Sequence, residues 1–197
     1  LSALCVSSLM SFDGKELKER SNKGYKSDIK LEYVIPNVKD IPNNKFGELV
    51  KYGRELIVHT SKYIGPEVED ASMRFAGNNN QCQNCHLDAG TRAYSAPFIG
   101  TTAEFPQYRP RENKIGTLAD RINGCMQRSM NGYSLPINSK EMVAMKAYMH
   151  WLSMGIPVAG ASKLKGRRLS KIDRKMVKKQ AADPEKGRIV YANQCAS

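Results

Sequence analysis

An all-α fold is what this sequence predicts, and three observations carry that prediction. Phe46, Leu49, Val50, Gly53, Leu56 and Ile57 recur at 3.6-residue spacing, one face of an amphipathic helix. Thr117-x-x-Asp120 and Asn138-x-x-Glu141 have the form of capping boxes, each opening a further helix. Between these segments stands Cys82-Gln83-Asn84-Cys85-His86, whose spacing is that of thioether attachment of a c-type haem. Helices packed around a covalently held haem suffice for a small one-core domain.

Composition narrows the class further. The chain has 197 residues, with 31 Lys+Arg against 19 Asp+Glu and a net charge of +12, which suits one compact domain plus additional segments. A hydrophobic content of 41% with 25% charged residues excludes a disordered tail and a polytopic membrane protein. No run approaches the roughly 18 apolar residues of a membrane span, so no transmembrane segment is expected. Five cysteines, at positions 5, 82, 85, 125 and 195, are too sparse for a disulfide scaffold. Zinc would need a second ligand pair at comparable spacing, which the sequence lacks. Cys82 and Cys85 are therefore read as the thioether residues and His86 as the proximal iron ligand.

Taken in order, residues 1–12 read as the remnant of a signal peptide. The apolar LSALCVSSLM resembles the tail of an h-region, and Val6-Ser7-Ser8 supplies small residues for cleavage. Haem c is attached outside the cytoplasm in bacteria, so the expected location is the periplasm. Leu4 before Cys5 is not the small residue a lipid anchor wants, and Cys5 is expected to leave with the signal. Residues 13–42, polar and broken by Gly14, Gly24, Pro36 and Pro42, form an N-terminal extension that wraps as an arm or loop.

Residues 43–160 make the first cytochrome c-like domain. Asn43 and Asn44 are the capping candidates for the helix at Phe46, and the polar run Gly77-Asn78-Asn79-Asn80 delivers the chain to Cys82. Residues 90–110, rich in Gly, Pro and aromatics, read as a loop lining the haem. Met142, Met145, Met149 and Leu152 then form the buried stripe of the last helix.

Residues 161–182 are a basic linker. Nine Lys/Arg against Asp173 between 161 and 179 hold eight of the twelve net charges, and Ser170-x-x-Asp173 offers a cap for a partly helical connector. Nucleic-acid binding would call for interleaved aromatics or a recognisable motif, and neither is present, so no nucleic acid partner is expected. A solvated connector of this charge raises the local potential for anions or an acidic redox partner. Residues 183–197 read as the truncated start of a second cytochrome c domain. Asp183-Pro184 opens a helix with Gly187, Tyr191 and Cys195 at helical spacing, and Cys195-Ala196-Ser197 needs only Cys-His to complete another haem motif.

The iron also needs a distal ligand or an open site. His59 precedes the haem motif on its helix and His150 adjoins Trp151, positions that suit packing or surface roles. Cys125, Met126 and Met130 offer soft sulfur instead. Arg121, Cys125 and Ser129, at i, i+4 and i+8, share one helix face and present a cation, a thiol and a hydroxyl together. A lone Cys on an apolar stripe is ordinarily a small hydrophobe, but a guanidinium beside a thiol favours its charged, nucleophilic form. That face suits sulfur chemistry, whereas a simple electron carrier would use Met126 or Met130. Arg92, Arg109 and Arg111 can converge on the distal pocket as donors to a dianion. For Arg92 and Arg109, haem propionates or surface carboxylates are equally open partners.

Gly77-Asn78-Asn79 with Cys82-x-x-Cys85-His86-Leu87-Asp88-Ala89-Gly90, the stretch from Asp120-Arg121-Ile122-Asn123-Gly124-Cys125 to Asn131-Gly132, and Ala147-Tyr148-Met149-His150-Trp151-Leu152 together resemble the bacterial dihaem c-type cytochrome thiosulfate dehydrogenases, also described as tetrathionate reductases. The resemblance runs from about residue 46 to 197. It implies a periplasmic oxidoreductase that couples two thiosulfate ions to tetrathionate, or the reverse, at a haem with His and Cys axial ligands, here His86 and Cys125. It places the catalytic set on Cys125, Arg111, Arg121 and Ser129. It also implies two haems c in the full-length protein, one in this fragment and a second beginning at Cys195. That second haem would pass electrons to a redox partner such as a small cytochrome c or a quinone-linked system, so the fragment alone would be incomplete. Two other readings stand beside it: an electron-transfer cytochrome c without a substrate of its own, and the haem subunit of a multi-subunit sulfur-oxidising complex.

Overall fold

Helices and one short hairpin are laid out along residues 31–158, 160–167 and 182–194, the parts of the chain described by a computed structural model. The expected signal remnant (residues 1–12), residues 13–30 of the expected extension, Cys195 and the expected Ser170/Asp173 cap lie outside the described residues. Helix α1 (Lys45–Val58) begins where the Asn44 side chain accepts from the Gly47 N–H at 3.0 Å. Asn44, and not Asn43, is thus the cap. Its apolar stripe buries Val50, Gly53, Leu56 and Ile57. A short α2 (Thr60–Ile64) follows His59, and α3 (Cys82–Cys85) carries the haem-motif cysteines.

Helix α4 (Leu118–Arg128) opens with the capping box read from the sequence: the Asp120 N–H donates to Thr117 Oγ1 at 3.1 Å and the Thr117 N–H to Asp120 Oδ2 at 2.7 Å. Helix α5 (Lys140–Leu152) departs from the expected Asn138-x-x-Glu141 box. Ser139 is the cap, accepting from the Met142 N–H at 3.2 Å. Glu141 is buried and accepts from the Tyr52 hydroxyl at 3.1 Å, so it is committed to α1 and does not reach back. The stripe of Met142, Met145, Met149 and Leu152 is fully inside. Helix α6 (Pro184–Gln194) starts at Asp183, whose Oδ1 accepts from the Lys186 N–H at 3.0 Å.

Helices α1 and α5 form the central pair. A Cβ at Gly53 would stand 2.0 Å from the Ala144 carbonyl oxygen, so only glycine lets the two backbones approach this closely. The Tyr148 hydroxyl, one turn further along the same face of α5, donates to the Ala89 carbonyl at 2.9 Å and ties the pair to the turn behind the haem motif.

Two expectations change. Residues 90–110 are not wholly loop. They include a 3₁₀ turn, Thr101–Glu104, and the first strand of an antiparallel hairpin, β1 (Gln107–Arg109) with β2 (Lys114–Gly116), in which Tyr108 faces Ile115. Residues 161–167, expected in the solvated linker, pack on the domain. Ala161 and Leu164 are buried against Gly100, and the Tyr94 N–H donates to the Gly166 carbonyl at 2.6 Å. The arm is anchored too, through buried Ile41 and a Tyr33 hydroxyl that donates to Thr91 O at 2.9 Å. Among the described residues no helix is long and apolar enough to cross a membrane.

Candidate functional site

The site is built on three walls, the first being the haem motif itself. The Cys82 N–H donates to Thr60 Oγ1 at 3.0 Å, and that hydroxyl lies 3.3 Å from Cys82 Sγ. Burial pushes the Cys82 thiol up to about 11, against the opposing hydrogen bond from Thr60. Cys85 is exposed. His86 places Nδ1 2.5 Å from the Ala96 carbonyl oxygen, which accepts its N–H, and packs on the Phe98 ring at a centroid distance of 4.3 Å. Burial lowers the pKa of the imidazole, and the charges of Arg121 and Arg167 lower it further, while the bond to Ala96 opposes them. A neutral ring with Nδ1–H committed to a carbonyl leaves Nε2 as the lone-pair donor, the tautomer an iron ligand needs.

The chain can turn from His86 to Phe98 because Asp88, Ala89 and Gly90 all adopt positive φ, 55°, 54° and 80°. The Phe98 N–H then donates to Gly90 O at 2.7 Å. A Cβ at Gly90 would lie 2.1 Å from the Phe98 ring, so this position is glycine by necessity.

The second wall is α4, where Arg121 Nη1 donates to Cys125 Sγ at 3.0 Å. The i, i+4 pair read from the sequence is thus a formed contact, and Ser129 joins it along the same wall. Cys125 is partly exposed and Ser129 exposed, whereas Met126 and Met130 are 1% and 4% exposed and belong to the core as well as to the wall. Met145 and Met149 of α5 extend the apolar surface. The third wall is the hairpin with Arg109 and Arg111. Together the three enclose a cavity of about 550 Å³, also lined by Cys82, Cys85 and His86, within the range of cofactor sites.

The arginines separate. Arg111, Arg121 and Arg109 line the cavity, while Arg92 pairs with Asp88 on the surface at 2.8 Å and does not. Arg109 crosses the hairpin over Gly116, where a Cβ would meet its Cδ at 2.4 Å, and bonds Glu112 at 2.6 Å. His59 lies 3.8 Å from Glu55 and exposed His150 packs edge-on to Phe46, so neither reaches this cavity. Arg167 does reach it. Sequence reasoning missed that residue, because one arginine in a run of nine basic residues carries no local signal. Apolar walls, two cysteines at thioether spacing and a histidine whose Nδ1–H is committed to Ala96 fit haem c.

Residues 72–158 match the family model described as the SoxA/TsdA cytochrome c domain. These residues are a SoxA/TsdA cytochrome c domain. Its helical architecture confirms the cytochrome c-like, all-α fold read from the sequence, with the small hairpin added. A cytochrome c domain implies haem c as its cofactor. The chain is 35% identical over 184 residues to the thiosulfate dehydrogenase of Stutzerimonas stutzeri (strain A1501), covering 93% of this chain and 55% of that protein. It is 35% identical over 164 residues to the thiosulfate dehydrogenase of Thiomonas intermedia (strain K12), covering 83% and 48%. A solved structure of thiosulfate dehydrogenase (TsdBA) from Marichromatium purpuratum superposes with a TM-score of 0.67 at 30% identity, over 83% of this chain and 34% of that one. The chain spans about half the length of the curated relatives it matches. All the residues of the cavity walls from Cys82 to Met149 fall within the SoxA/TsdA domain, and Arg167 lies beyond it.

Proposed function

We propose that this SoxA/TsdA domain is the catalytic part of a periplasmic thiosulfate dehydrogenase or tetrathionate reductase, in which His86 and Cys125 would hold the haem iron. The observation that carries the reading is the Arg121–Cys125 contact, a guanidinium donating to a thiol at 3.0 Å in the same cavity as His86. Two relatives that bear the name thiosulfate dehydrogenase support it.

The reaction joins two thiosulfate dianions through their outer sulfurs and releases two electrons, or runs in reverse. Bound haem c supplies the electron acceptor and donor. The chain's own residues handle the charge. Arg111 and Arg121 offset the repulsion between the two dianions, and their planar forks match the oxyanion ends. Held this way, the sulfur ends meet in a geometry that free ions resist. Ser129 adds a hydroxyl hydrogen bond, and Cys125 places a polarizable sulfur beside the reacting atoms. A second haem c, held in part by Cys195, would supply an exit for the electrons toward a redox partner such as a small cytochrome c or a quinone-linked system.

The test is spectroscopic. Ultraviolet-visible and low-temperature electron paramagnetic resonance spectra of the oxidised, haem-loaded chain are expected to show a low-spin thiolate signature that Cys125→Met abolishes. A methionine-type spectrum unchanged by that substitution would overturn the proposal and leave an electron-transfer cytochrome. Arg121→Gln is expected to weaken thiosulfate binding, followed by perturbation of the haem spectrum, by about ten- to a hundredfold, the worth of one charged hydrogen bond.

A further inference from the structure

Nine arginines fall among the described residues, and five of them pair with a carboxylate: Arg54, Arg92, Arg109, Arg167 and Arg188. Arg74 donates from Nε and Nη2 to the Val68 carbonyl at 3.2 and 3.1 Å. The remaining three, Arg111, Arg121 and Arg128, have no carboxylate partner among the described residues. Arg111 and Arg121 line the cavity, whereas Arg128 is an exposed residue of the last turn of α4, outside the lining.

Two features of α4 carry this third guanidinium back toward the thiol. Arg121 and Arg128 stand at i and i+7, two turns apart on nearly one stripe of the helix, with Cys125 between them. The Arg128 side chain then runs back along the helix, where its Nε donates to Gly124 O at 3.1 Å. A Cβ at Gly124 would stand 2.9 Å from Arg128 Nη2. The guanidinium therefore lies over residue 124, the neighbour of Cys125, in space that a side chain at that residue would contest. Nε is its only nitrogen with a protein partner among the described residues, so both Nη groups remain free to donate.

We infer that Arg128 binds the outer of the two oxyanion ends that meet at Cys125, while Arg111 and Arg121 bind the inner one. Two dianions come together at this site, and the tetrathionate formed from them has a sulfonate at each end. With the two cavity arginines on the inner ion, the outer end is left to the rim of the cavity. There Arg128 is the carboxylate-free guanidinium on the stripe of Arg121 and Cys125, and its planar fork matches a sulfonate. Water screens an exposed cation, so its contribution is smaller than that of a cavity arginine. The inference rests on the thiosulfate reading above and adds a division of labour among the arginines. Gly124 acquires a role as well, as the residue whose missing side chain seats Arg128 beside the thiol.

The experiment is a calorimetric titration of the haem-loaded chain with tetrathionate, which has two sulfonate ends, and with thiosulfate, whose first bound ion needs only the inner site. Arg128→Gln is expected to weaken tetrathionate by about three- to tenfold, the worth of one hydrogen bond to a screened charge, and to leave the first thiosulfate within about twofold of wild type. Gly124→Ala keeps the charge but crowds the guanidinium from its seat. It should give the same selective loss with a melting temperature no lower than wild type, since alanine is the better helix former. Arg121→Gln, by contrast, should weaken both ions. An equal loss for both ions in Arg128→Gln would make Arg128 a source of long-range field alone and overturn the assignment. Wild-type tetrathionate binding in either Arg128→Gln or Gly124→Ala would overturn it too. A wild-type chain that binds neither ion would sink the thiosulfate reading instead, which keeps the two failures distinct.

Discussion

A methyl group at Gly77 would stand 2.0 Å from the Asn131 carbonyl oxygen, and one at Gly132 would stand 2.0 Å from the Phe75 carbonyl oxygen. These two glycines let the strand of chain entering the haem motif lie directly on the end of α4. The Gly77 N–H donates to Met130 O at 2.8 Å, and Asn78 Nδ2 to Ser129 O at 3.1 Å. Single residues thereby couple the haem attachment to the wall that carries Ser129. Gly77→Ala is expected to destabilise the haem-loaded chain by about 1–3 kcal/mol, the usual cost of overpacking, read as a lower urea midpoint with an unchanged slope. An undiminished midpoint would mean that the two segments separate freely and that their contact does not position Ser129.

At the scale of the element, the start of α4 decides which face meets the cavity. The Thr117–Asp120 box sets the first turn, and Arg121, Cys125 and Ser129 follow from it at successive fours. Thr117→Ala is expected to cost about 1 kcal/mol of stability, as cap removals do. The Thr117 backbone N–H, and then its hydroxyl, hold the Asp120 carboxyl below the usual carboxylate range. A carboxylate depressed in the folded state contributes stability above its unfolded pKa, about 3.9, and loses it as pH falls through the lower folded value. The stability gap between wild type and Asp120→Asn should therefore be full at pH 7 and shrink below about pH 4, as followed by thermal melts across pH. The start of α5 shows the same logic with a different cap. Asn138 and Ser139 are both acceptable caps in isolation, and only the burial of Glu141 against Tyr52 selects the later one.

For the whole molecule, the backbones of the central helix pair approach closely at Gly53. Gly53→Ala forces α1 away from the Ala144 carbonyl, and the expected penalty of about 1–3 kcal/mol corresponds to a melting temperature lower by roughly 2–10 °C. Because α5 also presents Met145 and Met149 to the cavity, the haem absorption bands should shift in the same variant. Unaltered bands with a lowered melting temperature would show that the cavity tolerates movement of the pair. The helices α1, α4 and α5, the haem motif and the shared face of Arg121, Cys125 and Ser129 could all be read from the chain, because helical period, capping and motif spacing are local and repeat over many residues. The β1–β2 hairpin could not, since three-residue strands offer no alternation to detect. Nor could the choice among the arginines. Arg92 meets Asp88, Arg109 crosses Gly116 to Glu112, and Arg167 comes back from a basic run to Glu104. The sequence by itself determined which helices form and which chemistry they carry. Which cations reach the cavity was decided only by the tertiary structure, because a guanidinium's partners lie far along the chain and are chosen by packing and burial.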